Sequence, residues 1–329
     1  MNIAILGCGT VGSGTVELLM KNEKEYTAKA GEPIVIKKLL ERHPEKAAAL
    51  GVPAETIVSS FDEIMADDSI ETVVELIGGK TWAYEYTKQC LKAGRNVVTA
   101  NKDMLAEYLG ELTALAHANH AMLMYEASVG GAIPVIGPVS RSLAASSISR
   151  IYGILNGTTN YILTRMAADG ITYREALRDS QKLGYAEADP TNDVRGYDSA
   201  RKLAVLASLV FGVSVHMADI EIQGIENVSA QDMLDASAGG KTIKLLADAC
   251  MENGRLRASV KPVSLPLEHP LASVNDCFNA VCFIGDACGE IMLYGRGAGS
   301  LPTASAVVGD IIEICRRRHD VVPENPLWK

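Results

Sequence analysis

Three kinds of pattern are missing from this 329-residue sequence, and each absence argues against a class of protein. No apolar run approaches the roughly 20 residues of a membrane-spanning helix, which excludes insertion into a membrane. With a net charge of −9, the chain has no basic excess to bind the phosphates of a nucleic acid. Its seven cysteines form no Cys-x-x-Cys pair and no zinc-type spacing with histidine, so we expect reduced thiols rather than a disulfide scaffold.

The N-terminus also lacks the features of a secretory signal. Its apolar segment, Ile3–Leu6, is far too short, and neither a basic segment nor a small-residue cleavage site accompanies it. We therefore expect a cytoplasmic protein. A hydrophobic content of 48% and a charged content of 22% are typical of a globular enzyme, and the length predicts two domains.

The chain begins with a short strand pattern, a glycine-rich turn and a helix pattern, in that order. The strand is Asn2–Leu6, glycines occupy positions 7, 9 and 12, and the helix includes Thr15–Met20. Gly7 permits a tight turn, Gly9 lets the backbone approach a pyrophosphate, and Gly12 lets the helix pack closely on the strand. The N–H groups at the start of the helix would then bind the phosphates, so this stretch predicts a dinucleotide-binding site.

The next strand pattern, Pro33–Leu40, predicts where the adenosine ribose of the dinucleotide would lie. Glu41 follows it and would accept hydrogen bonds from the ribose hydroxyls of NAD. Arg42, His43 and Lys46 would instead bind the additional phosphate of NADP. Both signals are present, and we slightly favour NADP because an arginine can pair with a phosphate through two hydrogen bonds.

Strand and helix patterns then alternate up to residue 125, which predicts a doubly wound parallel sheet of the Rossmann type. The strands are predicted at Thr72–Ile77, Asn96–Thr99 and Ala121–Tyr125, with helices at Trp82–Ala93 and Asp103–Ala118. The ligand crevice of such a sheet lies at the carboxyl ends of its strands. Lys102 follows one such end, where a cation can bind a carboxylate or assist a carbonyl; a solvated lysine at a helix start is the alternative.

A glycine-rich turn, from Glu126 to Pro134, follows the last of these strands. Its carbonyl oxygens cannot all find partners in a sheet, so a hard cation held by a carboxylate and several carbonyls is reasonable there. A simple domain hinge is the alternative.

An acidic loop followed by a helix, at residues 184–202, is the main candidate for the chemistry. Asp198 and Lys202 lie four residues apart, so both project from one face of the helix. Such a pair is often a solvated surface ion pair. Here the helix continues with apolar residues on almost all sides, which predicts a buried lysine that must be paired and can exchange a proton. Glu187 and Asp193 in the loop would add negative charge at a substrate site.

Further patterns predict a second domain between Arg150 and Leu301. They are a strand at Arg150–Leu155, helices at Tyr161–Ala168 and Tyr173–Leu183, a hairpin of Asn279–Phe283 with Glu290–Tyr294, and a partly helical segment at Asp232–Ala249.

Four motifs, in this order, resemble the signatures of homoserine dehydrogenases: VVTANKDMLA, YEASVGGAIPVI, GILNGTTNYILTRM and GYAEADPTNDVRGYDSARKLAVLA. The resemblance runs through most of the chain. It implies the reversible reduction of L-aspartate 4-semialdehyde to L-homoserine with NAD(P)H, on the route to threonine, methionine and isoleucine. It also implies a homodimer or homotetramer. Residues 1–134, completed by residues 299–329, would bind the dinucleotide, and residues 135–298 would form an α+β substrate domain with an open mixed sheet.

The resemblance assigns roles residue by residue. The family's proton donor falls on Lys202, and a second functional lysine falls on Lys102. Its substrate-binding carboxylates fall on Glu187 and Asp198, and Asp193 is a further candidate beside them. The other assignments are cofactor contacts at Gly9, Thr10, Val11, Thr99, Lys102 and Gly299, and a sodium-like cation site made by Glu126 and the carbonyls of Val129, Gly131 and Ile133.

These roles agree with the chemistry of the substrate. Homoserine is a zwitterion, so its ammonium needs carboxylates, and its carboxylate needs donors such as Lys102 or the backbone of residues 156–158. Hydride transfer to the aldehyde leaves negative charge on oxygen, and the Lys202 ammonium would neutralise it by donating a proton. Two alternatives stay open: a dehydrogenase of another small zwitterion and a non-catalytic dinucleotide sensor. Because the sequence ends soon after the predicted final helix, Thr303–Arg317, we expect little threonine inhibition through an added regulatory module.

Overall fold

The computed structural model of the chain describes residues 1–319, which form two compact units. One unit comprises residues 1–128 and 299–319, and the other comprises residues 129–298. The predicted boundary after residue 134 lies a little beyond this division, and the roles given to the two domains stay predictions. The part of that prediction concerning residues 320–329 lies outside the described residues.

The first unit is built on a six-stranded parallel sheet. Its strands are β1 (Asn2–Leu6), β2 (Val35–Leu40), β3 (Ile57–Val58), β4 (Thr72–Glu75), β5 (Asn96–Thr99) and β6 (Leu123–Met124). The helices between them are α1 (Thr10–Lys21), α2 (Glu23–Ala30), α3 (Pro44–Ala48), α4 (Phe61–Met65), α5 (Thr81–Lys92) and α6 (Lys102–Ala118). The spatial order is β3-β2-β1-β4-β5-β6, and every neighbouring pair is parallel.

This sheet confirms the predicted doubly wound, Rossmann-type fold. Its central strands are rich in valine and isoleucine because both of their faces are covered, and Ile3, Val74 and Val98 have no exposed surface. The strand order reverses direction between β1 and β4. A crevice therefore opens at the carboxyl ends of these two strands, which is where ligands bind in sheets of this kind.

The second unit combines one sheet with five α-helices. The helices are α7 (Gly157–Asp169), α8 (Tyr173–Lys182), α9 (Thr191–Val194), α10 (Tyr197–Phe211) and α11 (Ala230–Ala238). The strands are β7 (Ile148–Ile154), β8 (Glu221–Ile222), β9 (Lys241–Glu252), β10 (Arg255–Pro266), β11 (Phe278–Gly285) and β12 (Gly289–Arg296). They lie in the order β12-β11-β7-β9-β10-β8; β8 runs parallel to β10 and the other neighbours are antiparallel. The expected open mixed sheet and the β11–β12 hairpin are thus confirmed.

The segment predicted to be partly helical is helical only up to Ala238. After the glycine pair at 239 and 240 the chain continues as β9, which pairs with β10 along its whole length and with β7 on its other side. The turn between β9 and β10 is Asn253-Gly254, and both residues have positive φ, as a type I′ hairpin turn requires. Sequence reasoning missed β10, although this dipeptide was a usable signal for it.

The last helix, α12 (Ser300–His319), belongs to the first unit. Gly14 of α1 lies directly against Ser300, so the two helices approach closely, and Val307 and Ile311 of α12 are buried in the core of that unit. No helix within residues 1–319 is long and apolar enough to cross a lipid bilayer.

Candidate functional site

The glycine-rich turn between β1 and α1 has the geometry that its sequence predicts. Gly7 adopts a φ of +93°, and a side chain there would meet the carbonyl oxygen of Leu76 at 2.9 Å. A side chain at Gly12 would collide with the backbone carbonyl of Gly7, whereas one at Gly9 would meet no atom within 4 Å. Gly7 and Gly12 are therefore needed for packing, and Gly9 leaves an open approach to the start of α1 for a phosphate group.

The start of α12 lies beside the same turn. The hydroxyl of Ser300 donates a hydrogen bond of 2.7 Å to the carbonyl oxygen of Thr10. Its neighbour Gly299 has a φ of +125°, and its carbonyl oxygen accepts from the backbone N–H of Thr303. The structure thus brings together three of the predicted cofactor contacts, because Thr10 and Val11 begin α1 while Gly299 immediately precedes α12.

A cavity of about 800 Å³ adjoins this turn at the carboxyl ends of the strands. Its lining includes Gly9, Glu41, Arg42 and His43. The Glu41 carboxylate accepts hydrogen bonds from the backbone N–H of Cys8, at 2.7 Å, and of His43, at 3.0 Å. Burial opposes ionisation of Glu41, but these two hydrogen bonds, together with the charges of Lys46 and His43, outweigh it and hold the pKa of Glu41 below its ordinary value. Glu41 is therefore an ionised group already engaged by backbone donors.

A buried carboxylate, Glu75, joins the ends of two neighbouring strands. It has no exposed surface, accepts from the Thr99 hydroxyl at 2.7 Å, and accepts from the backbone N–H of Ile77 at 3.0 Å. Burial raises the pKa of Glu75, although the hydrogen bond from Thr99 acts in the opposite direction. The backbone N–H of Asn101 donates in turn to Thr99, so the loop that carries Lys102 is fixed to this network. Sequence reasoning missed Glu75; a single charged residue ending the strand TVVE was the available signal.

Lys102 is the first residue of α6, which Asn101 caps by accepting a hydrogen bond from the backbone N–H of Met104. The Asn101 side chain also donates to the carbonyl oxygen of Gly79, at 2.7 Å. The loops after β4 and β5 are thus joined at the carboxyl ends of these strands.

In the second unit, Lys202 is buried on α10 beside Asp198. Its ammonium nitrogen lies 2.7 Å from Oδ2 of Asp198 and donates to the carbonyl oxygen of Leu155 at 2.8 Å. The side chains of Lys202 and Asp198 are only 10% and 11% exposed, so this is not a solvated surface pair. Gly196, in the left-handed conformation, starts the helix and places Asp198 in its first turn, where the helix dipole stabilises a carboxylate.

Asn156 connects this pair to the acidic loop. Its amide donates to Oδ1 of Asp193 at 2.7 Å and to Oδ2 of Asp198 at 2.9 Å, while its own oxygen caps α7 by accepting from the backbone N–H of Thr159. Burial raises the pKa of Asp193, and the nearby Asp198 raises it further. Two carboxylates, an amide and an ammonium therefore form one cluster. The bridging role of the Asn156 side chain was not predicted, although an asparagine before a Gly-Thr-Thr helix start was a usable capping signal.

The structure does not bring Glu187 into this cluster. Glu187 is exposed, and within residues 1–319 its carboxylate makes no hydrogen bond with Asn156, Asp193 or Lys202. Its backbone carbonyl accepts from the side chain of Gln181, at 3.1 Å, which anchors the loop to α8.

The residues of the predicted cation site fall on both sides of the division between the units. Glu126 belongs to the first unit, in a short turn whose first N–H donates to Asp310. Val129, Gly131 and Ile133 belong to the second unit, where their carbonyl oxygens accept no hydrogen bond from the residues that the structure describes. Oxygen atoms of this kind fit a hard cation. Within residues 1–319, no group of three or more His, Cys, Asp and Glu side chains is placed to hold a metal ion.

Two family models match the chain. The model described as "Homoserine dehydrogenase, NAD binding domain" matches residues 7–126, and the model described as "Homoserine dehydrogenase" matches residues 134–312.

Individual proteins are similar along almost the whole chain. The homoserine dehydrogenase of Bacillus subtilis strain 168 is 40% identical over 316 residues, which are 96% of this chain and 73% of that protein. The crystal structure of a homoserine dehydrogenase from Thiobacillus denitrificans has a TM-score of 0.93 at 38% identity and covers 97% of this chain and 74% of that one. A mutant homoserine dehydrogenase from a hyperthermophilic archaeon, in complex with NADPH, has a TM-score of 0.81 at 28% identity and covers 98% of this chain and 99% of that one.

Proposed function

Because the chain belongs to the homoserine dehydrogenase family, we propose that its Lys202 transfers the proton in the reversible, NAD(P)-dependent reduction of L-aspartate 4-semialdehyde to L-homoserine. That reaction is the activity of the family, and the chain carries both the NAD-binding and the catalytic domain.

The observation that carries the role of Lys202 is the burial of its nitrogen beside a carboxylate. Hydrogen bonds to Asp198 and to the carbonyl of Leu155 use two of its three N–H groups, which holds the ammonium in place with one donor for a substrate oxygen. The nicotinamide, when bound, supplies the hydride. Lys202 then stabilises the charge that develops on the aldehyde oxygen and donates its proton; in the reverse direction the neutral amine accepts the hydroxyl proton.

The carboxylates around Asn156 support the binding of a zwitterion. Asp193 and Asp198 converge on this one amide, which concentrates negative charge where the substrate ammonium would bind. The substrate carboxylate would bind the backbone N–H groups that begin α7, at Gly157 and Thr158, or the ammonium of Lys102. Glu187, exposed in the loop, would have to turn inward to contribute.

A preference for NADP is supported by the hydrogen bonds that Glu41 already accepts from the protein backbone. Its carboxylate already accepts two backbone N–H groups, whereas Arg42, His43 and Lys46 are exposed in the lining of the cavity. A phosphate on the ribose would find these three cationic or polar groups on one wall.

The cofactor preference is tested by comparing kcat/KM for homoserine oxidation with NADP and with NAD. The Arg42→Ala variant should lose about tenfold with NADP and little with NAD, because only NADP offers a phosphate to pair. Lys24→Ala, a change at an exposed lysine of α2, is the control. An equal loss with both cofactors would refute the assignment of Arg42.

A monovalent cation, sodium being the best fit, is proposed at Glu126 and the carbonyls of Val129, Gly131 and Ile133. The chemistry of these oxygens supports it, and the ion would hold the glycine-rich turn in one conformation. Replacing sodium by choline in the buffer should then lower the melting temperature, and restoring sodium should recover it. Unchanged melting in choline would rule out a stabilising ion.

A homodimer or homotetramer is also proposed. The edge strand β12 exposes two large apolar side chains, Met292 at 39% and Tyr294 at 52%, as an interface between copies would require. Sedimentation of the protein and of a Tyr294→Glu variant tests it, and a monomer at micromolar concentration would exclude it.

We further propose a cytoplasmic location and a role in the synthesis of threonine, methionine and isoleucine.

The proposed role of Lys202 is tested with Lys202→Met, which keeps the length of the side chain. We expect kcat to fall by about a thousandfold or more while the affinity for NADPH stays within about twofold. Lys182→Met removes an exposed lysine of α8 and is the matched control. Near-normal turnover in Lys202→Met would overturn the assignment. Cofactor binding by the unaltered protein without turnover of any hydroxy amino acid would instead indicate a dinucleotide sensor.

A further inference from the structure

Three aromatic side chains form a row at the proposed cofactor cavity of the first unit. Phe61 of α4 is 5% exposed and stacks on Tyr86 of α5, with ring centroids 4.0 Å apart. Tyr86 in turn faces Trp82, with centroids 5.7 Å apart. Trp82 and Tyr86 both line the cavity. The row therefore leads from the core of the unit to the wall of a ligand cavity.

The outermost ring of this row is largely uncovered. Trp82 is 65% exposed, in a chain that has only two tryptophans and four phenylalanines. Trp82 and Tyr86 are four residues apart on α5, so their rings lie on the same face of the helix. Phe61 and Tyr86 hold that face against α4, and Trp82 presents an exposed flat surface beside them.

The position of the row relative to the other cavity residues indicates its ligand. Gly9 offers an open approach for the pyrophosphate, and Arg42 and His43 follow β2, where the adenosine ribose lies in sheets of this type. Trp82 lies in the same cavity, on the connection that follows β4, the other strand bordering the crevice. The base attached to that ribose must therefore lie between the end of β2 and the start of α5.

We propose that Trp82, supported by Tyr86 and Phe61, stacks on the adenine ring of the bound dinucleotide. This inference rests on the proposed function, because it takes the cavity as the cofactor site. Every purine offers a flat π face, and an exposed indole is the side chain that gains most from covering one. The adenine becomes the fourth ring of the row.

The test compares cofactors with and without an adenine. Trp82→Ala should weaken NADPH and NADH about tenfold each, with kcat at saturating cofactor unchanged, because the ring contacts only the adenine. Reduced nicotinamide mononucleotide lacks the adenine, so its kcat/KM should be the same in Trp82→Ala as in the unaltered protein. Trp82→Phe should recover most of the affinity. Leu234→Ala, at a 57% exposed apolar residue of α11, is the control.

A direct signal comes from tryptophan fluorescence. Binding of NADPH should quench the emission of the protein, and the quenching should be largely lost in Trp82→Phe, which retains Trp328 as its only tryptophan. Unchanged NADPH affinity in Trp82→Ala would overturn the proposal, as would an equal loss with the mononucleotide. A Trp82→Ala protein that changes its oligomeric state but not its affinity would also overturn it, in favour of a contact between copies. Failure of the proposed function is distinguishable, since the unaltered protein would then oxidise no homoserine with any cofactor.

Discussion

Lys244, in β9, is a second buried lysine, and its surroundings disfavour the charged form of its side chain. It is 1% exposed, and its ammonium donates to the carbonyl oxygen of Val274 at 2.6 Å and to the side chains of Asn275 and Asn160 at 2.9 and 3.2 Å. Burial lowers the pKa of Lys244 to about 8, while the nearby Asp276 acts in the opposite direction. Neutral acceptors from α7 and the loop before β11 satisfy its donors without neutralising its charge.

Stability should consequently rise with pH between about 8 and roughly 10.4, the value for an unperturbed lysine. In that window the unfolded chain binds more protons at residue 244 than the folded chain, so the free energy of unfolding increases as pH increases. The measurement is the melting temperature across this range for the protein and for Lys244→Met, in which this contribution is absent. Lys241→Met, at an exposed lysine of the same strand, is the control. Parallel curves for the protein and Lys244→Met would contradict the expectation.

Asp193 illustrates a conflict between stability and binding at the substrate cluster. Burial and then Asp198 raise the pKa of Asp193, so ionising this carboxyl costs free energy in the folded state. The free energy of unfolding therefore decreases as pH rises above the ordinary pKa of an aspartate, because the folded chain then binds more protons at residue 193 than the unfolded chain. Asp193→Asn should therefore melt a few degrees higher at neutral pH. It should also raise the KM for homoserine about tenfold, because the substrate ammonium loses a carboxylate.

The matched control for this variant is Asp179→Asn, at a half-exposed aspartate paired with Lys182 on α8. Calorimetry and steady-state kinetics give the two readouts. If Asp193→Asn melts lower than the unaltered protein and binds homoserine normally, the carboxylate is structural and the proposed role is excluded.

At the residue scale, the sequence predicted groups whose spacing along one helix fixes their geometry. Lys202 and Asp198 are the example, because a separation of four residues places them on one face wherever the helix lies. Asn156 was beyond prediction as a bridging side chain, since its two acceptors are 37 and 42 residues away in the sequence and meet only after folding. Glu187 was predicted to join the cluster but is exposed, because its place in an acidic loop does not determine where its side chain points.

At the scale of elements, different glycines of the turn between β1 and α1 serve packing and cofactor binding. A methyl group at Gly12 would strike the Gly7 carbonyl, whereas one at Gly9 would enter open space. Gly9→Ala should keep the melting temperature within about a degree and lose at least about tenfold in NADPH affinity, because the methyl group blocks the pyrophosphate. Gly12→Ala should lose both stability and affinity. Calorimetry with and without NADPH separates the two effects, and normal NADPH binding by Gly9→Ala would contradict this account.

Five strands of the first unit were predictable because strand, turn and helix follow one another in short, local patterns, whereas the two-residue strand β3 and the helices α2, α3 and α4 were not predicted. The long hairpin of β9 and β10 was not, because Lys241–Glu252 mixes apolar, charged and small residues, and pairing on both sides decides its conformation. Three strands of the first sheet, β2, β4 and β6, are shorter than predicted, whereas β1 and β5 have the predicted bounds. Thr72–Ile77 became Thr72–Glu75, and beyond the strand the backbone N–H of Ile77 donates a hydrogen bond to the Glu75 carboxylate.

For the molecule as a whole, the rates at which the cysteines are alkylated measure how well the two hydrophobic cores exclude solvent. All seven cysteines are free; Cys90 and Cys282 are fully buried, and burial raises their pKa to about 12 and about 11. Because the thiolate is the reactive form, these two should resist alkylation in the native protein, while the half-buried Cys277 and Cys288 react first. Peptide mapping after timed iodoacetamide treatment, with and without urea, measures this. Equal rates at Cys90 and Cys288 in the native protein would contradict it.

The return of α12 to the first unit affects how the chain must be assembled on the ribosome. Residues 129–298 emerge as an uninterrupted stretch and have every strand of their sheet at hand as soon as they are made. The first unit starts earlier but is completed later, because Val307 and Ile311 fill its interior and are translated only after the whole of the second unit. Until then an apolar groove along α1 is open. Residues 1–128 therefore depend on a chaperone, or on delayed collapse, more than residues 129–298 do.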